Sequence, residues 1–359
     1  MKISLFRPAI NRKDMQAVLE TMVDDTLGPG QISEQFVVAL LDFFDLEGGI
    51  AFREQRRALE VLMGALHLAP DEGLLLSPLL PRVYAEVAVA AGLNFDWVDV
   101  DVKNGVVSSE ALEAAVQKER EFRCTALVCD TTLGFVPPIE ELSQQIDTVV
   151  VDLSKGCGAR LGDDLAGSSA DFIMLSLEQE DMLTTGGGAA VLGRTKKQVV
   201  SLNKASSGVS REVFLADLNA ALGVAQLKEL PNRLIRRQEI AEILHRSAQQ
   251  SRHRLLVQSG DAEQVYYSLP IVVETGRKDV EAYAKKKGVE TRPAFQDSVI
   301  DRYGVEDGVP AGDGSKILCR TADVPNAAVL WRQCVLFPLY PSLPNPHIKE
   351  LAKILVSLP

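Results

Sequence analysis

The chain has 359 residues, a formal net charge of −11 and 46 % hydrophobic residues. That length carries one large α/β unit with an appendage, or two domains. The acidic balance excludes nucleic acid and anionic membrane surfaces as partners, leaving a small molecule or another protein.

The opening Met1-Lys-Ile-Ser-Leu-Phe-Arg-Pro8 has too short an apolar cluster for a signal peptide, and no run approaches membrane-spanning length. Cys124, Cys129, Cys157, Cys319 and Cys334 form no C-x-x-C pair, so they read as reduced, packed thiols in a cytoplasmic protein. His67, His245, His253 and His347 lie far apart without ligand spacing, so no metal site is expected.

In chain order, helical periodicity predicts helices over residues 14–23, 31–44, 56–67 and 109–117. Ser108 or Ser109 can cap the last of these, and Glu110 suits its first turn. Short apolar runs predict strands over 73–76, 95–100, 124–129, 148–152, 172–176 and 189–192, as for strands buried on both faces. This alternation is the pattern of a mostly parallel sheet covered by helices. A long helical stretch follows from about 214 to 250, which Pro231 should break or kink, because proline lacks the donor and clashes with the preceding turn. The domain boundary is expected near it, giving 1–235 and 236–359. Beyond lie a strand (265–273), a helix (279–287), a Gly/Asp/Pro-rich loop (303–314) and a last amphipathic helix (347–358).

Eight stretches in order resemble the DegT/DnrJ/StrS family of sugar aminotransferases. They are Arg7-Pro-Ala with Leu27-Gly-Pro-Gly30, the segment from Asp71 to Gly92, Val98-Asp-Val-Asp101, and Gly134-Phe-Val-Pro-Pro-Ile-Glu-Glu-Leu142. Then come Val151-Asp152, Thr184-Thr-Gly-Gly-Gly188, Asn219-Ala-Ala-Leu-Gly-Val-Ala-Gln-Leu227 and Leu336-Phe-Pro-Leu-Tyr-Pro-Ser-Leu343. The resemblance implies a pyridoxal-phosphate (PLP) fold type I: a three-layer α/β/α large domain followed by a smaller α+β C-terminal domain. Most of the matched residues have structural readings of their own. The glycines from Gly186 to Gly188, for example, permit positive φ or close backbone approach before the next strand.

The resemblance also says where the chemistry should lie. The family's Schiff-base lysine falls on Asp181, which cannot form an imine, with Glu178 and Glu180 beside it. The phosphate cradle, usually Ser-Gly-Thr at a helix N-terminus, falls near Glu54, Gln55 and Arg56. Arg53, Arg56 and Arg57 read as a solvated helix face rather than an anion site. The aromatic plate falls near Pro81, with Tyr84 one helical turn on, and the neighbouring-subunit Asn and Arg fall on Glu212 and Phe214. Asp152 matches the aspartate that pairs with the pyridinium nitrogen, and Ser176 matches a phosphate contact; both also read as strand-end polar residues. Lys155 stands where the family has glutamine or histidine beside the ring hydroxyl, and is either a substitute amine or a solvent-facing loop lysine.

The expectation is therefore a non-catalytic family member with no catalytic residue and no cofactor. It would bind a sugar-type ligand or an active family partner in sugar or polysaccharide biosynthesis, as a homodimer or a heteromer. The alternative is a PLP-dependent aminotransferase acting on a nucleotide-linked keto-sugar through Lys155. A third reading is a lysine-free, pyridoxamine-type dehydratase with Asp181 as acid and base. Asp130, Lys155, Asp181 and Arg292 are the candidates for a new site in the old cleft, and Arg53, Pro81 and Phe214 are the candidates to fill that cleft.

Overall fold

The computed structural model describes residues 2–23, 27–274, 276–306 and 317–359. Its main sheet has seven strands: β1 (Gly48–Phe52), β2 (Glu72–Leu76), β3 (Asn94–Trp97), β4 (Arg123–Asp130), β5 (Thr148–Asp152), β6 (Phe172–Ser176) and β7 (Ala189–Gly193). The spatial order is β1-β7-β6-β5-β4-β2-β3. Strands β6, β5, β4, β2 and β3 run parallel, while β7 is antiparallel to both of its neighbours. All of β6 and β7 and most of β5 are buried, which explains why their sequences are continuous apolar runs rather than alternations.

Around this sheet pack α1 (Arg12–Val23), α2 (Gln31–Phe44), α3 (Gln55–Ala65), α4 (Val83–Ala90), α5 (Ser109–Gln117), α6 (Lys196–Ala205) and α7 (Asp217–Ala248). In α2 the spacing of Ser33, Phe36, Leu40 and Phe44 puts one face inward, and each fully buried phenylalanine or leucine contributes about 1.5–3 kcal/mol. The helix stops at Asp45, which turns into the left-handed region (φ 55°) while its N–H bonds Leu41 O. Ser108 caps α5 by accepting the Ala111 N–H at 3.2 Å.

The chain then builds a smaller sheet from β8 (Arg254–Leu255), β9 (Leu269–Val272), β10 (Arg292–Pro293) and β11 (Cys334–Phe337), in the antiparallel order β8-β9-β11-β10. Helices α8 (Arg277–Lys286), α9 (Pro325–Gln333) and α10 (Asn345–Val356) accompany it.

Four expectations need correcting. Pro231 does not end its helix: α7 is one helical element of 32 residues with Pro231 inside it. Its first half buries Ala220, Leu227 and Leu230 in the large core and its second half buries Ile240, Ala241 and Leu244 in a second core, so packing at both ends outweighs a proline cost of roughly 3 kcal/mol. The strand expected over 95–100 stops at Trp97, and that expected over 265–273 is confined to Leu269–Val272. The loop expected over 303–314 begins with a two-residue strand, Gly304–Val305, paired with Cys319–Arg320; residues 307–316 lie outside the described residues. The side chains of Ala294, Phe295, Val299, Ile300, Ala327 and Leu330 also belong to the large core, so the C-terminal part folds back over the main sheet. That return closes one side of a cleft.

Candidate functional site in the cleft between the sheets

Three neighbouring parallel strands end at the same edge. Asp130 closes β4, Asp152 closes β5 directly opposite it in register, and Ser176 closes β6. The carboxyl ends of parallel strands are where open α/β sheets present their ligand sites, because the loops that follow diverge and leave a crevice. Here the crevice is a cavity of about 400 Å³, the scale of a small-molecule site.

Each wall has a local cause. The loop after β5 supplies Ser154 and Lys155, and it turns tightly because Gly156 lies against Thr131, where a Cβ would come within 2.3 Å of the hydroxyl oxygen. The loop after β6 supplies Glu178, Gln179, Glu180 and Asp181, and is tied to the first loop by Met182 N–H donating to Ser154 O at 3.2 Å. The far wall is β10 with the segment after it. Arg292 donates to Glu180 at 2.8 Å and lies 5.0 Å from the Phe6 ring centre. The segment is stitched to the loop before α4 by Arg82 N–H to Asp297 O, Val299 N–H to Leu80 O and Ile300 N–H to Pro78 O. Tyr267 forms the remaining side, backed by the buried Arg237, which donates to the carbonyls of Tyr266, Tyr267 and Leu339.

The cleft thus brings together Asp130, Lys155, Asp181 and Arg292, with Asp152, Ser176 and Pro81. It does not include Arg53 or Phe214: Arg53 donates to Phe214 O, and Phe214 packs on Phe52 with ring centres 5.7 Å apart. The cavity is open rather than filled by those side chains. Glu212 sits in a short turn, Arg211–Val213, whose side chains are not buried. At the α3 N-terminus only Gln55 faces the cavity; Arg56 pairs with Glu86 at 2.6 Å and Arg57 with Glu60.

Tyr84 has a role that the sequence did not reveal. It is fully buried, and its hydroxyl donates to Asp152 Oδ2 at 2.6 Å. Asp152 Oδ1 accepts the Ser154 N–H at 2.8 Å and the Ser154 hydroxyl, which itself receives the Ser176 N–H at 2.7 Å. Asp152 therefore locks the ends of β5, β6 and α4 together. Burial, then the nearby Asp152 charge, push the Tyr84 phenol far above its ordinary range, so it stays a donor.

Electrostatically the cleft is acidic: Asp130, Asp152, Glu178, Glu180, Asp181 and Asp297 line it against Lys155 and Arg292. Burial pushes the Asp130 carboxyl up to about 6, with Lys155 acting to lower it and Asp152 to raise it. Asp181 is pushed up to about 7, again mainly by loss of solvent, although a hydrogen bond with Ser176 and the Glu178 N–H at 2.9 Å favour its charged form. Both carboxyls titrate near neutrality and can hold or release a proton there. Lys155 Nζ donates no hydrogen bond to a described residue and rests 5.8 Å from the Tyr267 ring centre. Among the described residues, no group of three or more His, Cys, Asp or Glu is disposed to hold a metal, and no helix is long and apolar enough to cross a membrane.

The DegT/DnrJ/EryC1/StrS aminotransferase family profile matches residues 8–356. The chain belongs to that family. A UDP-4-amino-4,6-dideoxy-N-acetyl-beta-L-altrosamine transaminase of Campylobacter jejuni is 24 % identical over 249 residues, covering 65 % of this chain and 66 % of the transaminase, just short of two thirds of its length. The spore coat polysaccharide biosynthesis protein SpsC of Bacillus subtilis is 24 % identical over 96 % of this chain and 94 % of its own. Among solved structures, the sugar aminotransferase Spr1654 of Streptococcus pneumoniae in its PMP form superposes with a TM-score of 0.86 at 16 % identity, over 100 % of this chain and 98 % of that one. A PLP form of the same protein matches equally well. The dehydratase ColD with bound GDP-perosamine superposes with a TM-score of 0.84 at 17 % identity, over 99 % of this chain and 100 % of that one. The fold is that of the PLP-dependent sugar aminotransferases, fold type I, as the resemblance implied.

Proposed function

We propose that this family member binds a sugar-type ligand in the cleft without transferring an amino group, and serves sugar or polysaccharide biosynthesis as a homodimer or beside an active relative. The observation that carries the reading is the acidity of the cleft: six carboxyl groups, of which Asp130 and Asp181 titrate near neutrality, face two cations, and one of those cations, Arg292, is already paired with Glu180. A phosphate dianion needs free amides or cations. Arg53, Arg56 and Arg57 are engaged elsewhere, and no glycine turn opens α3.

In this reading PLP does not fit. The resemblance puts Asp181 at the family's lysine position and Pro81 near that of the aromatic plate, both line the cavity, and three of the roughly four acceptor positions of Asp152 are taken by Tyr84 and Ser154. Partnership is supported by α1, where Met15, Leu19 and Met22 share one exposed face; Ile10, Leu27 and Val38 are also exposed.

The test is titration of the purified chain with PLP and with pyridoxamine phosphate, followed by absorbance and thermal shift, beside an amino-transfer assay with glutamate and a keto-sugar acceptor. A colourless protein with no shift and no 2-oxoglutarate is the expected outcome. Saturable aldimine formation with turnover overturns the reading.

A further inference from the structure

Lys155 is left without a task by a purely passive cleft. It is the one lysine among the described residues lining the cavity, and it sits partly buried on the loop after β5, next to Gly156, with its amine over the Tyr267 ring. No described residue accepts a hydrogen bond from it. Charged groups surround it from three elements: Asp130 at the end of β4, Asp152 at the end of β5, and Asp181 on the loop after β6, with Glu180 and its partner Arg292 closing the mouth. Asp130 and Asp181 line the same cavity as Lys155, and its charge acts on both of them.

We propose that Lys155 captures an uncharged aldehyde or ketone in this cleft as a reversible imine, with Asp181 relaying the protons. This rests on the reading of the cavity as a ligand site that does not transaminate. The lysine nitrogen forms a bond to the carbonyl carbon as the carbonyl π pair becomes an O–H bond. The carbon–oxygen bond then breaks, and the oxygen leaves as water with two protons that began on the ammonium. The nitrogen enters as ammonium and ends as iminium, so the charge at that point is unchanged and no oxidant or reductant takes part.

Three features favour the step. The carboxyl groups that share the cavity with the ammonium face the iminium in the same way, so closing the imine costs little charge stabilisation. Asp181 titrates near neutrality, so it can take a proton from nitrogen and return one to the departing oxygen. The acidic lining excludes phosphorylated carbonyl compounds, which limits the ligand to neutral ones such as a free keto-sugar.

The test uses the whole protein, dihydroxyacetone as probe and cyanoborohydride as trap, with labelling rates read by peptide mapping. Lys13 and Lys353, whose side chains are 80 % and 76 % exposed, are internal references. Lys155 is expected to label at least about tenfold faster than either, and Asp181→Asn is expected to remove about that preference while leaving the reference lysines unchanged. Glyceraldehyde 3-phosphate is expected to show no preference for Lys155. Equal rates at Lys155, Lys13 and Lys353 in the wild type, or a preference that survives Asp181→Asn, overturn the proposal. The two readings fail differently: a colourless wild type with unselective labelling removes only the imine, whereas amino transfer with bound PLP removes the reading of the cleft itself.

Discussion

The Tyr84 hydroxyl and Asp152 Oδ2 are joined by a 2.6 Å hydrogen bond, so α4 is fastened to the end of the central strand β5 by two residues far apart in the chain. Both are buried, and Ser154 donates twice to the other carboxylate oxygen of Asp152. A charge-assisted hydrogen bond of this kind contributes about 1.5–3 kcal/mol. Tyr84→Phe removes the donor, keeps the ring, and leaves a buried carboxylate short of a partner. Urea unfolding is expected to show a loss of about that size with an unchanged slope; a loss within error would show that the pair carries no stability.

Replacing Asp181 by lysine tests whether an amine is all that the cleft lacks. The variant puts a nucleophile where the resemblance places the family's lysine, but Gln55 and the carboxyl groups still line the cavity. Asp181→Lys is therefore expected to gain no saturable absorbance with PLP and no amino transfer. Recovery of either would show that phosphate binding survives in the present chain.

Much of this architecture was legible in the chain itself, and the failures have physical reasons. Helix α2 and strands β5 and β6 match their predicted bounds because clean periodicity or an unbroken apolar run decides them. Strand β1 was missed because Gly-Gly-Ile-Ala-Phe carries little strand propensity; its backbone is held by pairing with β7. Helix α4 was missed because Tyr84, Ala85, Val87 and Ala88 bury it on several sides, which erases the helical period, and because Pro78 and Pro81 precede it. The site divides the same way. Asp130, Lys155, Asp181 and Arg292 could be named because scaffold matching assigns strand ends. The Tyr84–Asp152 bond and the Glu180–Arg292 pair could not, since each depends on side-chain reach across the assembled fold.

The pH dependence of stability follows from the acidic cleft. An unfolded aspartate titrates near its ordinary 3.8, whereas Asp130 titrates at about 6 in the folded chain. Between those values the folded state keeps a proton that the unfolded state has released, so stability falls as pH rises through the window and the loss is complete above about 6. Asp181 extends the same trend to about 7. For Asp130, two units correspond to roughly 3 kcal/mol at most. Asp130→Asn, which can keep the Thr132 bond to Oδ1, is expected to flatten the decline in melting temperature between acidic and neutral pH. An unchanged profile in that variant would mean that Asp130 ionises without cost.

The Glu180–Arg292 pair spans the cleft mouth, but its side chains are 36 % and 33 % exposed, so solvent limits it to about 1 kcal/mol or less. Its consequence is local. Arg292→Ala is expected to leave the melting temperature nearly unchanged while amide exchange quickens in the loop from Glu178 to Asp181, which loses its tie to β10. Uniform protection in that loop would show that the backbone bonds of Asp181 and Met182 alone hold it.

Gly188 is the last test, because it separates scaffold from chemistry. It enters β7 with φ at 113°, and a Cβ there would stand 2.7 Å from Phe52 O on β1 and 2.8 Å from Leu215. Both the backbone conformation and the β1–β7 contact therefore demand glycine, whatever the cleft does. Gly188→Ala is expected to cost about 1–3 kcal/mol from strain, with more from the clash. Gly187 has a comparable positive φ (130°), but a Cβ there would meet only the Glu178 carboxyl oxygens at 3.8–3.9 Å, so Gly187→Ala isolates the conformational part. If the two variants melt together, the close approach of β7 to β1 adds nothing; if Gly188→Ala is markedly worse, the glycine-rich loop is maintained by sheet packing, independent of any cofactor.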